Sequence, residues 1–513
     1  TLEFLKTMTE KKPDFDEKLI GQFGVGFYSV FMVAEEVTVE TRHADIDSTA
    51  YRWKSTGEGN FTVEEIKRKE RGTKIYFKLK DNAEEFSKED KIKEIINKYS
   101  NFADFPIFLQ KEKINKVSAL WHKKSEDILA AELNEFYKFI TNDGEEPLGH
   151  LHLSLEGAVN FKALLFIPKT APLDLLRAQI DKSIHLYSNK ILIQTDCKDI
   201  LPEYLRFIKG VVDTVDLPLN VSREVTQSTP AMAKIKNILT AKILAHLKDW
   251  ADNDPDKYET FYNNFGILLE TGLNIDFSNR DKIIELMRYE STIKAKGKRL
   301  SLKDYLVNMK KDQTEIYYLS GDNRETIERN PNLEYFKKNN IEVLLLTHPV
   351  DIYFAPLIDE YQKKKIKSID KSDINLMPED KIEKPDDNLS KALLASFKEI
   401  LKDTVEDVVS SKRLIDSPVT LVIGKDGVDS QIEKMMKVMD KNFQGAKRIM
   451  EVNMDHPLIK NLSKIHLADS SKPLLAKCVL QLYESALLAD GSLAAPNDFI
   501  QRMVEIMEEA TDR

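Results

Sequence analysis

The chain has 513 residues, 42% of them apolar and 31% charged, with 85 acidic against 76 basic side chains and a formal net charge of -9. That length exceeds what one hydrophobic core organises, so division into about three or four domains is expected. An acidic balance without a basic stripe disfavours nucleic-acid binding. The two cysteines, Cys197 and Cys478, lie far apart and outside any Cys-x-x-Cys or His-rich spacing, which indicates neither a disulfide framework nor a zinc site and fits a reducing cytoplasm.

In chain order, the first informative stretch is Ile20-Gly21-Gln22-Phe23-Gly24-Val25-Gly26-Phe27-Tyr28-Ser29, a glycine-rich turn that runs into an apolar helix. Glycines let the backbone approach a ligand closely, and a helix start presents unpaired N–H groups and a positive dipole end, which together hold phosphate. The spacing matches neither the Walker pattern nor the dinucleotide fingerprint, and an ordinary tight turn fits it as well. Short alternating segments at 37–40, 48–53, 60–63 and 74–77 read as strands, half of an α+β sandwich with one covering helix. Gly72-Thr73 opens the last of them, and a strand start is its plainest reading.

The stretch 84–99 is charged with helical spacing at Ile92, Ile95 and Ile96, and the break at 110–116 reads as a short interdomain linker or equally as a surface loop. Strands are expected at 152–157, 161–168, 184–187 and 191–193, then helices from 230 to about 274. Apolar runs at 315–319 and 341–346, separated by a helical stretch, predict parallel strands of an αβ unit. The Asp-, Lys- and Pro-rich stretch 370–388 marks a boundary, which gives domains at 1–108, 117–385 and 386–513 with a linker at 109–116. The last segment has a strand at 419–423, a helix bearing Met435, Met436 and Met439, and two terminal helices. Those helices carry apolar stripes at Leu475, Val479, Leu482 and Ala486 and at Phe499, Met503 and Ile506, which serve either core or interface. No run of about 18 or more apolar residues occurs, so no membrane span is expected.

Within 217–227 a turn feeds a helix on which Arg223 and Gln227 share a face. Read alone, Arg223 is a surface ion-pair residue.

The string from Leu19 to Ala34 resembles the phosphate-cradling segment of the ninety-kilodalton heat-shock chaperone family, one of the GHKL ATPases. Arg71 to Phe77 is similar to the family's strand with the threonine that hydrogen-bonds near adenine, and 217–227 is similar to its catalytic loop, whose arginine reaches the γ-phosphate. The resemblance returns at Trp121, 161–168, 171–172, 196–205, 411–414, 455–457 and 482–488, and is greatest to the bacterial branch. It implies a multidomain α+β chain: a partial GHKL sandwich, an αβα middle domain and a mixed α/β C-terminal dimerisation domain.

By the same resemblance the intact protein is an ATP-dependent chaperone, a dimeric clamp on unfolded or partly folded clients that uses ATP and Mg2+. Gln22, Gly24, Val25, Gly26, Phe27, Thr73 and Arg223 would contact ATP, with Arg223 and Gln227 catalytic. Arginine suits that role because its planar, permanently charged fork neutralises charge spreading over phosphate oxygens. Trp121, Met435, Met436 and Met439 would offer adaptable surface to clients, core packing being the alternative. Leu475, Leu482, Ala486, Phe499 and Met503 would form a homodimer. Glu509 to Arg513 does not match the tail that docks tetratricopeptide co-chaperones, and Ser188-Asn189-Lys190 departs from the paired arginines of many relatives. The family's general base, its Mg2+-holding asparagine and its adenine-binding aspartate correspond to sequence upstream of Thr1, so the chain is expected to be a fragment inactive alone. Two other readings remain: a nucleotide-independent client-binding scaffold, and a MutL- or gyrase-like ATPase, which the acidic charge disfavours.

Overall fold

The computed structural model describes residues 26–116, 118–171, 184–217, 229–348, 350–351, 357–374, 376, 388–425, 427–440, 443, 445–468 and 473–511. The chain forms two compact units, Thr1–Phe265 and Gly266–Arg513.

In the first unit, β1 (Ala34–Arg42), β2 (Ala50–Ser55), β3 (Phe61–Ile66) and β4 (Gly72–Leu79) form an antiparallel sheet in the order β3-β2-β1-β4, at the places the alternation predicts. Its register sets Val39 opposite both Trp53 and Ile75, and Trp53 opposite Val63. Directly opposed residues share a face, so Val37, Val39, Tyr51, Trp53, Phe61, Val63, Ile75 and Phe77 form one apolar surface, and Glu36, Glu40, Arg52, Lys54, Glu64, Lys74 and Lys78 a charged one. The helix expected after the glycines is a 3₁₀ helix, Gly26–Met32. It lies on the apolar face, with the Phe27 and Phe31 rings 5.7 and 6.4 Å from Trp53, which stacks on Phe61 at 6.3 Å.

After α1 (Glu89–Tyr99) comes a tight hairpin of β5 (Phe108–Leu109) and β6 (Glu112–Lys113), with Gln110 at φ 55°. This lies where the sequence reads as linker or loop. Asn115 ties it down: its Oδ1 accepts from the Ile107 N–H, and its Nδ2 donates to the Ala103 and Phe105 carbonyls.

A five-stranded sheet follows, of β7 (Gly149–Leu155), β8 (Phe161–Ile167), β9 (Ile184–Ser188), β10 (Ile191–Gln194) and β11 (Lys209–Thr214), in the order β10-β9-β11-β8-β7. β11 pairs antiparallel with β8 and parallel with β9. The helix α2 (Ala130–Thr141) buries Leu133, Phe136, Tyr137 and Ile140, one helical face, in a core with Leu164, Phe166 and Val211. Then come α3 (Pro230–Asn253), whose first turn is capped by the Thr229 hydroxyl accepting from the Met232 N–H, and α4 (Pro255–Ile275), which begins in the first unit and ends in the second.

In the second unit, β12 (Glu290–Ser291), β13 (Glu315–Ser320), β14 (Leu344–Leu346), β15 (Glu360–Tyr361) and β16 (Lys364–Ser368) are ordered β12-β14-β13-β16-β15. β13 runs parallel to β14, as the two apolar runs predict, and also to β16. The last segment holds α5 (Asn388–Leu401), β17 (Val405–Ser410), β18 (Val419–Ile423), α6 (Ser430–Met439), β19 (Arg448–Val452), α7 (Pro457–Ala468), α8 (Pro473–Ala489) and α9 (Pro496–Thr511), with sheet order β17-β19-β18.

A polar joint links these two parts of the second unit. Arg413, 2% exposed, pairs with Glu451 at 2.9 Å and donates to the carbonyls of Ile369 and Lys371. Glu334 accepts from the backbone N–H groups of Ile415, Asp416 and Ser417. Burial pushes the Arg413 pKa down, and the Glu451 carboxylate opposes it. So enclosed a charge needs that partner and those carbonyls to offset its desolvation.

Candidate functional site

The apolar face of β1–β4 ends at Thr73. Gly72, just before it, has φ 109°, a conformation that favours glycine. Opposite Gly72 stands Arg42, whose guanidinium donates to the carbonyls of Ile46 (2.5 Å), Ser48 (3.1 Å), Arg68 (3.2 Å) and Lys69 (2.6 Å). Those bonds gather two loops at the end of the sheet where β4 begins. Thr73 pairs with Thr41, and their hydroxyl oxygens are 2.9 Å apart.

Gly26 starts the 3₁₀ helix on the same face. No described atom lies within 4 Å of where a Cβ would stand at Gly26, and its φ is not positive. Nothing among the described residues therefore demands glycine there. Phe27 is 37% exposed beside it. Gln22, Gly24 and Val25 lie outside the described residues, as do Arg223 and Gln227.

On the charged face, Arg52 pairs with Glu40 at 2.7 Å and Glu64 at 2.8 Å, and its hydrogen bond holds the Glu40 carboxyl below the ordinary range. Exposed pairs of this kind contribute little to stability.

Trp121 is not surface. It is fully buried, 4.9 Å from the Phe102 ring and 5.0 Å from Tyr187, and its Nε1 donates to the Asp213 carboxylate at 2.9 Å. Asp213, itself buried, also bonds His122 Nε2 at 2.9 Å and the Lys190 N–H at 3.0 Å. The expected client role of Trp121 is corrected: the ring is spent on the core that α2 makes with β8–β11. Met436 and Met439, by contrast, are 41% and 81% exposed, while the Met435 side chain lies outside the described residues.

The terminal helices divide the roles expected of them. Leu475, Val479 and Leu482 of α8 are buried in the core of their own chain with Phe397 and Met450, and Ala486 packs at its edge. That removes Leu475 and Leu482 from a pairing surface, because their stripe is already covered. On α9 no described residue is buried, and Ile500, Val504 and Met507 are exposed at helical spacing while Phe499 and Met503 are half-buried. Lys477 bonds Glu505 and Glu509, and Arg502 bonds Glu484, which hold α9 against α8.

A cleft of about 180 Å³ in the second unit lies between Ser320, Asp370, Thr420, Ser430, Arg448 and Ala486. Burial, with the nearby Asp429 charge, pushes the Asp370 carboxyl up to about 6. Among the described residues no group of three or more His, Cys, Asp or Glu side chains is placed to hold a metal ion.

Sequence reasoning singled out neither Thr41 nor Arg42. The signal was present in Val37-Thr38-Val39-Glu40-Thr41, where the alternation that sets Val37 and Val39 on the apolar face carries Thr41 with them.

Mixed sheets with covering helices define a multidomain α+β protein. The family described as Hsp90 protein matches residues 109–513. "Chaperone protein HtpG" of Chlorobium luteolum is 52% identical over 516 residues, covering 100% of this chain and 83% of that protein. The protein of the same name from Chlorobium phaeobacteroides is 53% identical over 517 residues with the same coverage. That of Geobacter sulfurreducens is 37% identical over 540 residues, covering 99% of this chain and 83% of its own length. The chain belongs to the Hsp90 family and is similar to its bacterial HtpG members, as the sequence motifs imply. Among the described residues no helix is long and apolar enough to cross a membrane.

Proposed function

We propose that the protein is an ATP-dependent molecular chaperone of the cytoplasm, working as a homodimeric clamp on unfolded or partly folded proteins. The supporting observation is the open apolar face of β1–β4, with the glycine-led 3₁₀ helix on it and Thr73 at its end. In this reading Gln22, Gly24, Val25, Gly26 and Phe27 hold phosphate and Thr73 hydrogen-bonds the base. Mg2+ would supply neutralisation of phosphate charge when nucleotide is bound. Arg223 contributes its fork to the transition state and Gln227 holds the same contact. Because Arg223 is far along the chain from the glycine turn, domain closure gates hydrolysis. The domains at 1–108, 117–385 and 386–513 are the parts that close. Met436 and Met439 offer adaptable surface to clients, and Ile500, Val504 and Met507 of α9 are the residues a second copy covers.

The test is Mg-ATP titration of this chain beside the full-length protein, extended upstream of Thr1 to its relatives' length. Binding is expected only in the longer protein. There Arg223→Ala should lower turnover and leave affinity nearly unchanged. Undiminished turnover would remove Arg223 from catalysis. The exposed α9 row and methionines also favour a second reading, a scaffold that holds clients without nucleotide. Suppression of client aggregation by this chain without ATP would support that reading.

A further inference from the structure

We propose that Thr41 is a positioning residue for the Thr73 hydroxyl, orienting it toward the purine base of a nucleotide; this rests on the reading of Thr73 as the base contact. The two residues are a directly opposed pair on β1 and β4, with hydroxyl oxygens 2.9 Å apart on the apolar face. A hydroxyl has one proton and two lone pairs, so a pair sharing one proton presents the other outward. When Thr41 donates, the Thr73 proton is free for a ring nitrogen. When Thr73 donates, its oxygen is left to accept from an exocyclic amine. Either setting fits a base edge that carries an acceptor beside a donor, and the shared bond also fixes the rotamer of the β-branched Thr73 side chain. The backbone is fixed separately, since Arg42, opposite Gly72, grips four loop carbonyls at that end. Thr41 thus acts on the side chain of a residue whose main chain is already placed.

A cross-strand threonine pair also stabilises a sheet, so the test separates affinity from folding. ADP is titrated calorimetrically into the full-length protein and its Thr41→Val, Thr41→Ser, Thr73→Val and Thr41→Val/Thr73→Val variants, with melting temperatures measured alongside. Losing one neutral hydrogen bond predicts roughly three- to tenfold weaker binding for Thr41→Val. Thr41→Ser should bind as the parent does, and Thr41→Val should add no loss in the Thr73→Val background. An equal loss in both backgrounds overturns the proposal, because Thr41 would then act independently of Thr73. So does a Thr41→Val variant that binds normally while Thr73→Val binds poorly. If Thr73→Val itself binds normally, the reading of Thr73 as base contact fails first.

Discussion

Two sheets of the first unit end in opposite states. In β8 every residue but Lys162 is buried, whereas no residue of β4 is. The sheet of β7–β11 is closed by its own chain, with Trp121 and α2 sealing it. The sheet of β1–β4 keeps a broad apolar face, on which Phe61 is 63%, Val63 55% and Ile75 48% exposed. A closed sheet supplies stability through its buried core, whereas the described residues leave much of the β1–β4 face uncovered. The helices α8 and α9 differ in the same way: the α8 stripe is buried in the core, while on α9 Phe499 and Met503 are half-buried and Ile500, Val504 and Met507 exposed.

Trp121→Ala empties a buried site and takes one partner from Asp213, and should cost about 3–5 kcal/mol in the urea unfolding of the first unit. Leu482→Glu sets an unpaired charge in the core of the second unit and should cost several kcal/mol. Val504→Glu on α9 should leave unfolding unchanged and shift light scattering toward monomer. If both substitutions unfold the chain alike, α9 is buried and the pairing surface is lost. Ile75→Ser on the open sheet should change stability by no more than about 0.5 kcal/mol. A cost near that of Trp121→Ala would mean the face is covered, which ends the contrast. Gly26→Ala should leave the melting temperature in place, since the added Cβ meets no described atom, and yet weaken ATP binding by the full-length protein.

The strands at 34–79 were legible because valines, isoleucines and aromatics alternate there, and β8 because it is a short, nearly continuous apolar run. β11, β17 and β19 were not: each is five or six residues long, and its place is set by partners far away in the chain, as Gly210 is by Leu165. Trp121 was misread because a large aromatic in a family motif looks the same whether it serves a surface or a core. Only the Asp213 carboxylate, 92 residues on, shows which. The α8 stripe left core and interface open for the same reason, since helical spacing states that a face is covered but not by what. Of the candidate site, the glycines and Thr73 were legible from motif, and the Thr41 contact needed the strand register.

The most direct test of the account is amide hydrogen exchange in the full-length protein with and without Mg-ATP, read strand by strand. The account predicts that β4 and the 3₁₀ helix at Gly26–Met32 gain protection when nucleotide binds, while β8, already closed, does not change. Nucleotide bound with no added protection in β4, or with protection gained in β8 instead, would contradict the assignment of the open face to ATP.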